Sequence, residues 1–344
     1  MHEETDVPLA PLTTLRLGGP ARRMVTAGIE EELVEAASDP GALILAGGSN
    51  VVIADAGFPG TVVRVATRGV EVSERDGVVR LDAAAGEDWD ALSARAVAEG
   101  LAGFECLGGI PGTVGATPIQ NVGAYGQEVA ETIVSVRAFD RAAGEVVDLA
   151  PADCAFAYRS SRFKHADRGR FTILRVVYEL PRSRESAPIR YGELARTLGL
   201  QAGERAPLAE VREAVLGLRR AKGMVLDPDD PDSVSAGSFF TNPVLDAAAF
   251  AGLRERAGAE PPAWPQDGAA VKTSAAWLIE HAGFQRGHGD GPIGLSRKHT
   301  LAIVNRGGGT ATQLAAFARE LRDGVWERFG VVLEPEPVLV GVEL

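Results

Sequence analysis

The sequence predicts an α+β protein built in at least two parts. Short apolar strands and amphipathic helices are interleaved along the chain, hairpin signals join several strands, and the texture turns helix-rich beyond about residue 206. At 344 residues the chain also exceeds one ordinary domain of roughly 100–200 residues. Boundaries are expected near 68 and 205, which gives parts at 1–68, 69–205 and 206–344.

Each element has a local reason. Residues 31–37 read as a helix, and a short apolar strand at 42–45 then runs straight into Gly47-Gly48-Ser49-Asn50. Residues 60–65 are β-rich. The runs 70–72 and 78–81 flank Asp76-Gly77, a pair that accepts the positive φ of a tight hairpin. Residues 88–99 carry apolar positions at helical spacing and stop at Gly100, as helices commonly do. A glycine-rich stretch without charge, 107–126, precedes strands at 133–139, 145–149 and 171–180, with Ala143-Gly144 near the first turn. The polar segment 182–188 reads as loop. Helices are then expected at 208–221, 245–257, 274–282 and 310–329, and strands at 301–304, 331–333 and 338–342.

Composition narrows the class. Hydrophobic residues make up 45% and charged residues 24%, which suits a globular core and argues against disorder. The formal net charge of −12 argues against a general nucleic-acid polymer or anionic membrane as partner, because both demand a basic footprint. No apolar run has the length of a membrane span or signal core, so a soluble cytoplasmic protein is expected. Two cysteines, Cys106 and Cys154, are too few for a disulfide framework. The histidines His2, His165, His281, His288 and His299 have no metal-ligand spacing, and no metal site is expected. Only Lys164, Lys222, Lys272 and Lys298 are lysines in an otherwise arginine-based set of cations. With 41 glycines and 20 prolines and no repeat, the glycines have to be explained one by one.

Two glycine loops carry most of the functional signal. Small residues at 47–50 let backbone N–H groups cradle a pyrophosphate, and Ser49 and Asn50 add side-chain donors. The same tetrapeptide also suits a plain turn out of a strand. Neither a G-x-G-x-x-G after a strand nor a Walker loop is present, and Gly287-His288-Gly289-Asp290-Gly291 lacks either context. A nucleotide cofactor therefore needs a cradle other than a Rossmann unit. The second loop runs from Leu107-Gly108-Gly109-Ile110-Pro111-Gly112 to Val122-Gly123-Ala124-Tyr125-Gly126. A loop of about twenty residues in a compact domain usually has a function. Its glycine, small and amide residues suit close packing beside a planar or phosphorylated ligand.

Together these loops resemble the two FAD loops of the UDP-N-acetylenolpyruvoylglucosamine reductases (MurB) of peptidoglycan synthesis. The resemblance runs from about Thr13 to Gly341. It implies a flavin-binding fold of the PCMH/vanillyl-alcohol-oxidase type, with FAD-binding subdomains at 1–68 and 69–205. A C-terminal α+β substrate domain follows at 206–344, whose last strand is able to pack back on the FAD domain. FAD contacts are implied at Gly47, Gly48, Ser49, Asn50, Ile110, Pro111, Gly112, Ala116, Ile119 and Gly123. The 47–50 loop has no His or Cys to tether a flavin, so FAD is expected to be non-covalent, with NADPH as reductant.

Three further motifs match the family. Tyr158-Arg159-Ser160-Ser161-Arg162-Phe163-Lys164 alone reads as a solvated polar edge, but it matches the run that brings an arginine beside the flavin, here Arg159. Ala236-Gly237-Ser238-Phe239-Phe240-Thr241-Asn242-Pro243 matches the motif of the proton-donating serine, here Ser238. Leu333-Glu334-Pro335-Glu336-Pro337 places the catalytic glutamate at Glu336 rather than Glu334. The resemblance implies hydride addition from flavin N5 to an enolpyruvyl ether, a proton from Ser238, and an enolate stabilised by Arg159 and Glu336. A bidentate, permanently charged arginine suits charge developing on a carboxylate.

The implied substrate carries a uridine diphosphate. Arg219 and Lys222, three apart at the end of the 208–221 helix, match the diphosphate-binding segment, and basic residues also favour a helix C-terminus in any protein. Tyr191 and Asn242 match the remaining substrate contacts, and the tyrosine loop marks the longer of the family's two subtypes. Thr241 departs from the pattern, since relatives often carry a basic residue there. Lys298, His299 and His288 receive no role. A monomer acting on a nucleotide sugar is expected. Another flavoprotein of this fold, or a non-catalytic nucleotide-sugar binder, are the alternatives.

Overall fold

Two sheets frame the first of the protein's two compact units. The computed structural model describes residues 1–344. One unit comprises residues 1–7, 21–47 and 59–221, and the other residues 8–20, 48–58 and 222–344.

In the first unit a five-stranded antiparallel sheet has the order Glu145–Leu149, Ile133–Asp140, Phe171–Pro181, Val78–Ala84, Val70–Arg75. The long central strand, Phe171–Pro181, is buried along most of its length, so β-branched and aromatic side chains fill both faces. The second sheet orders His2–Pro8, Pro20–Ala27, Phe58–Val65 and Leu43–Leu45, the last two parallel. Five helices belong to this unit: α1 (Glu30–Ala37), α2 (Trp89–Ala98), α3 (Thr117–Gln120), α4 (Gly192–Leu198) and α5 (Leu208–Ala221). The Asp88 carboxylate accepts the Ala91 N–H at 2.8 Å and caps α2, which explains why that helix begins there. Val211 and Val215 of α5 bury against Cys106, Ile189, Leu194 and Ala195, while Leu208 buries with Val97 and Ala102. That apolar face, at helical spacing, is what docks α5 on the turn just before the second glycine loop.

The second unit contains α6 (Ala247–Ala257), α7 (Ala275–His281) and α8 (Ala311–Phe329). Leu314, Phe317, Leu321, Val325 and Phe329 form the buried stripe of α8. Thr310 and Gln313 make a reciprocal capping box at its start, and the Asp55 carboxylate adds bonds to the Ala311 and Thr312 N–H groups at 2.7 and 2.9 Å. A three-stranded sheet orders Ser235–Ser238, Ala302–Asn305 and Ile293–Leu295. Val338–Val340 pairs in parallel with Val51–Ile53.

Most expected elements form within three residues of their predicted ends. The strand expected at 331–333 does not. Val331 and Leu333 are buried in the α8 core while Val332 is exposed, so the alternation that suggests a strand is satisfied by core packing without a hydrogen-bonded ladder. Helix α5 stops at Ala221, which leaves Arg219 helical and Lys222 one residue beyond its end.

Candidate active site

Buried aromatics in the first unit fix the start and the middle of the second glycine loop. Trp89, Phe104 and Tyr178 pack at centroid distances of 4.8 and 5.1 Å. The Trp89 Nε1–H donates to the Leu107 carbonyl at 3.2 Å, and the Tyr178 hydroxyl bonds Thr117 Oγ1 at 2.7 Å. Both polar tips are satisfied, as buried aromatics with polar ends require. Between these anchors, residues 112–115 run beside 85–89 through hydrogen bonds from Trp89 N to Gly112 O, Val114 N to Glu87 O and Gly115 N to Ala85 O.

Gly47 and Gly112 meet in this unit. A Cβ at 47 would sit 2.7 Å from Gly112 Cα, closer than side-chain carbons approach backbone. Gly47 is therefore packed backbone on backbone against Gly112, which only glycine at 47 permits. With no charged side chain between 107 and 126, the surface they form suits a flat, large cofactor and its phosphates.

Arg159 sits at the tip of a tight turn in which Ala157 and Ser160 exchange both backbone hydrogen bonds. Its backbone is left-handed, at φ 51. The Arg159 Nη2–H donates to the Gly123 carbonyl at 2.6 Å, and Lys164 Nζ donates to the Arg159 carbonyl at 3.2 Å and to Gln120 Oε1 at 2.8 Å. Asn121 donates to the Ala157 carbonyl at 3.0 Å, and Ser161 donates to the Ile119 carbonyl at 2.7 Å. The turn carrying Arg159 is thus stitched to the loop segment that holds Ile119 and Gly123.

Arg219 lies in the same unit and donates from Nη2 to the Gly109 carbonyl at 3.3 Å. Loss of water pulls its guanidinium down to about 10, against Tyr125 and Asp90, while Arg159 adds like-charge repulsion. It remains a cation at neutral pH. Burial pushes the Tyr125 phenol up to about 12. Tyr191, half exposed at the start of α4, meets the Tyr125 ring edge-on at 5.4 Å.

In the second unit Ser238 and Glu336 lie on adjacent extended segments. Phe240 bridges Pro335, the Glu336 N–H donates to the Phe239 carbonyl at 2.8 Å, and the Thr241 N–H donates to the Glu334 carbonyl at 3.0 Å. The Val338 N–H donates to the Asn50 carbonyl at 3.0 Å, and Asn50 Nδ2 reaches the Glu336 carbonyl at 3.4 Å. Thr14 ties the Gly48 carbonyl to the Ser235 carbonyl through its N–H and hydroxyl. Only glycine fits at 48, where the backbone is left-handed at φ 59 and a Cβ would overlap the Leu12 carbonyl. Gly48–Asn50, Ser238 and Glu336 are therefore one connected backbone cluster. Asn242 accepts the Ala275 N–H at 3.0 Å through Oδ1 and so caps α7.

Sequence reasoning missed Gln120, Thr14, Asp90 and Arg212 as support for these residues. The scarcity of lysine was the available signal for Lys164. Lys298 pairs with Asp230 at 2.8 Å and His288 with Glu320 at 2.9 Å. No group of three or more His, Cys, Asp or Glu side chains is placed to hold a metal ion.

Residues 29–150 match an FAD binding domain, and residues 229–340 match the C-terminal domain of UDP-N-acetylenolpyruvoylglucosamine reductase. The chain is 55% identical over 352 residues to the UDP-N-acetylenolpyruvoylglucosamine reductase of Thermobifida fusca strain YX, covering 98% of each. It is 56% identical over 356 residues to that of Streptomyces coelicolor, covering 100% of this chain and 92% of the relative. The crystal structure of the reductase from Thermus caldophilus superposes with a TM-score of 0.66 at 25% identity, covering 98% of both chains.

Proposed function

The chain belongs to the UDP-N-acetylenolpyruvoylglucosamine reductase family, and on that premise we propose that Arg159, Ser238 and Glu336 carry its chemistry. It is a FAD-dependent oxidoreductase that uses NADPH to reduce the enolpyruvyl ether of UDP-N-acetylglucosamine to UDP-N-acetylmuramate. Identity above half along the whole chain is the observation that carries this conclusion.

When bound and reduced by NADPH, FAD would supply hydride chemistry at the terminal vinyl carbon. Gly47, Gly48, Ser49, Asn50, Ile110, Pro111, Gly112, Ala116, Ile119 and Gly123 hold it without a covalent link. The tight glycine packing at 47 and 112 supports that reading.

Arg159 receives the negative charge that develops on the substrate carboxylate, a task for a permanent cation with several donors. Ser238 delivers the proton to the α-carbon, and Glu336 acts on the developing enol. The backbone bond between Glu336 and Phe239, next to Ser238, supports a joint role for the pair. Arg219 and Lys222 bind the diphosphate, with Tyr191 and Asn242 as further substrate contacts. The like-charge influence of Arg159 on Arg219 supports a local positive field in a protein whose net charge is −12. Residues 1–68 and 69–205 are assigned to FAD and 206–344 to substrate. We read the enzyme as a cytoplasmic monomer. No helix is long and apolar enough to cross a membrane.

Ser238→Ala tests the assignment. Flavin reduction by NADPH is expected to continue, while the half-reaction with the enolpyruvyl nucleotide slows by about 10²–10⁴-fold, the usual worth of a positioned general acid. Equal loss of both halves contradicts the role of proton donor.

A further inference from the structure

A polar contact between α2, α5 and the second glycine loop has no part in the roles above. Asp90, in the first turn of α2, accepts the Gly109 N–H at 2.6 Å and the Arg212 guanidinium at 2.7 Å, both on Oδ1. Arg212 also donates to Ser93 Oγ at 3.1 Å, and its side chain is only 13% exposed. It lies across Gly108 so closely that a Cβ there would come within 2.3 Å of Nη1. Arg219, two turns further along α5, holds the Gly109 carbonyl.

Both polar groups of one residue are thus held by charged side chains, the N–H by Asp90 and the carbonyl by Arg219. Gly109 itself is left-handed, at φ 71, a conformation that glycine leaves easily unless it is held. A change in φ or ψ at Gly109 would turn the carbonyl away from Arg219 or the N–H away from Asp90. A half-buried ion pair is a weak source of stability, because desolvation offsets much of the attraction. Geometry is what this one supplies. Arg212 fixes α5 to α2, and Asp90 fixes the loop to both.

We propose that Asp90 and Arg212 are positioning residues for nucleotide binding, holding the Gly109 peptide and α5 in one register so that Arg219 stays aligned for the substrate diphosphate. The proposal rests on the assignment of Arg219 to that diphosphate. Arg219 has lost water, and the Asp90 carboxylate steadies its charge against repulsion from Arg159. Asp90 and Arg212 act through Arg219 and the loop.

The test uses FAD-loaded enzyme and UDP as probe. Calorimetry gives the Kd of UDP for the parent, Asp90→Asn, Asp90→Ala, Arg212→Met and Arg219→Met, and steady-state kinetics give KM and kcat. Thermal unfolding of each variant is followed in parallel. Asp90→Ala and Arg212→Met are expected to raise both the UDP Kd and the substrate KM by about tenfold, with kcat changed by less than about threefold, the pattern of lost binding. Asp90→Asn keeps an oxygen for the Gly109 N–H and removes the charge. It is expected to give a smaller rise, and it carries the test should Asp90→Ala fail to fold. Lower melting temperatures with unchanged Kd and KM overturn the proposal. If Arg219→Met leaves UDP binding intact, the underlying assignment falls. If only Arg219→Met weakens it, the positioning role alone falls.

Discussion

Replacing Gly47 with alanine probes the packing shared by the two glycine loops. The new Cβ would lie 2.7 Å from Gly112 Cα and 3.1 Å from its carbonyl carbon, where ordinary contact begins at 3.4 Å. One backbone segment must therefore retreat by about 0.7 Å. Gly112 has little freedom to do so, because its carbonyl accepts the Trp89 N–H at 3.1 Å and Thr113 bridges Asp88. Overpacking of this kind costs about 1–3 kcal/mol. If the strain is relieved by opening the flavin loops, FAD binding weakens by roughly 5- to 150-fold, at about 1.4 kcal/mol per tenfold. Titration of apoenzyme with FAD, followed by flavin fluorescence, reads that change. Gly217→Ala is the control, since a Cβ there meets nothing within 4 Å and alanine favours the helix. An FAD Kd for Gly47→Ala within twofold of the parent, at unchanged melting temperature, would refute the reasoning.

Two carboxylates should reveal themselves through stability. The Arg170 guanidinium, helped by the Ala142 and Ala143 N–H groups, holds the Asp140 carboxyl down at about 2, against 3.8 ordinarily. Its contribution is therefore complete above the ordinary value and is lost as pH falls through about 2. The shift alone gives roughly 2.5 kcal/mol, and with Arg170 43% exposed, screening reduces it to about 1–2 kcal/mol. Urea unfolding of Asp140→Asn at pH 7 should show that loss, and the gap to the parent should narrow in acid. Asp55→Ala removes the carboxylate from the start of α8 and is expected to cost about 0.5–2 kcal/mol at neutral pH. Bonds from Thr312 and Ala311 lower the Asp55 carboxyl despite burial, so this contribution too is present at neutral pH and fades in acid.

Local chemistry made much of the molecule readable. Asp76-Gly77 forms the turn between Val70–Arg75 and Val78–Ala84 because both residues tolerate positive φ, at 53 and 78. Helix ends were legible wherever a cap is encoded, as at Asp88, Ser274 and Thr310. The glycine loops were visible because no charged residue interrupts 107–126. Long-range pairing was not readable from local pattern, and only the resemblance brings the last strand back on the FAD domain. Nothing local tells Val51–Ile53 to pair with Val338–Val340, yet that ladder brings Asn50 to Glu336. The grouping of residues 8–20 and 48–58 with the C-terminal part is equally non-local. Asp90 and Arg212, separated by 122 positions, read as ordinary surface charges on two helices until both meet the Gly108-Gly109 backbone. The 331–333 segment shows the converse failure, since alternating burial alone imitates a strand.

The central claim is that this chain reduces an enolpyruvyl nucleotide sugar through its flavin. Enzyme reduced with one equivalent of NADPH under anaerobic conditions, then mixed with UDP-N-acetylglucosamine enolpyruvate, tests it most directly. The flavin absorbance band should return in full, with one UDP-N-acetylmuramate formed per flavin. A flavin that stays bleached in the presence of that substrate would contradict the account.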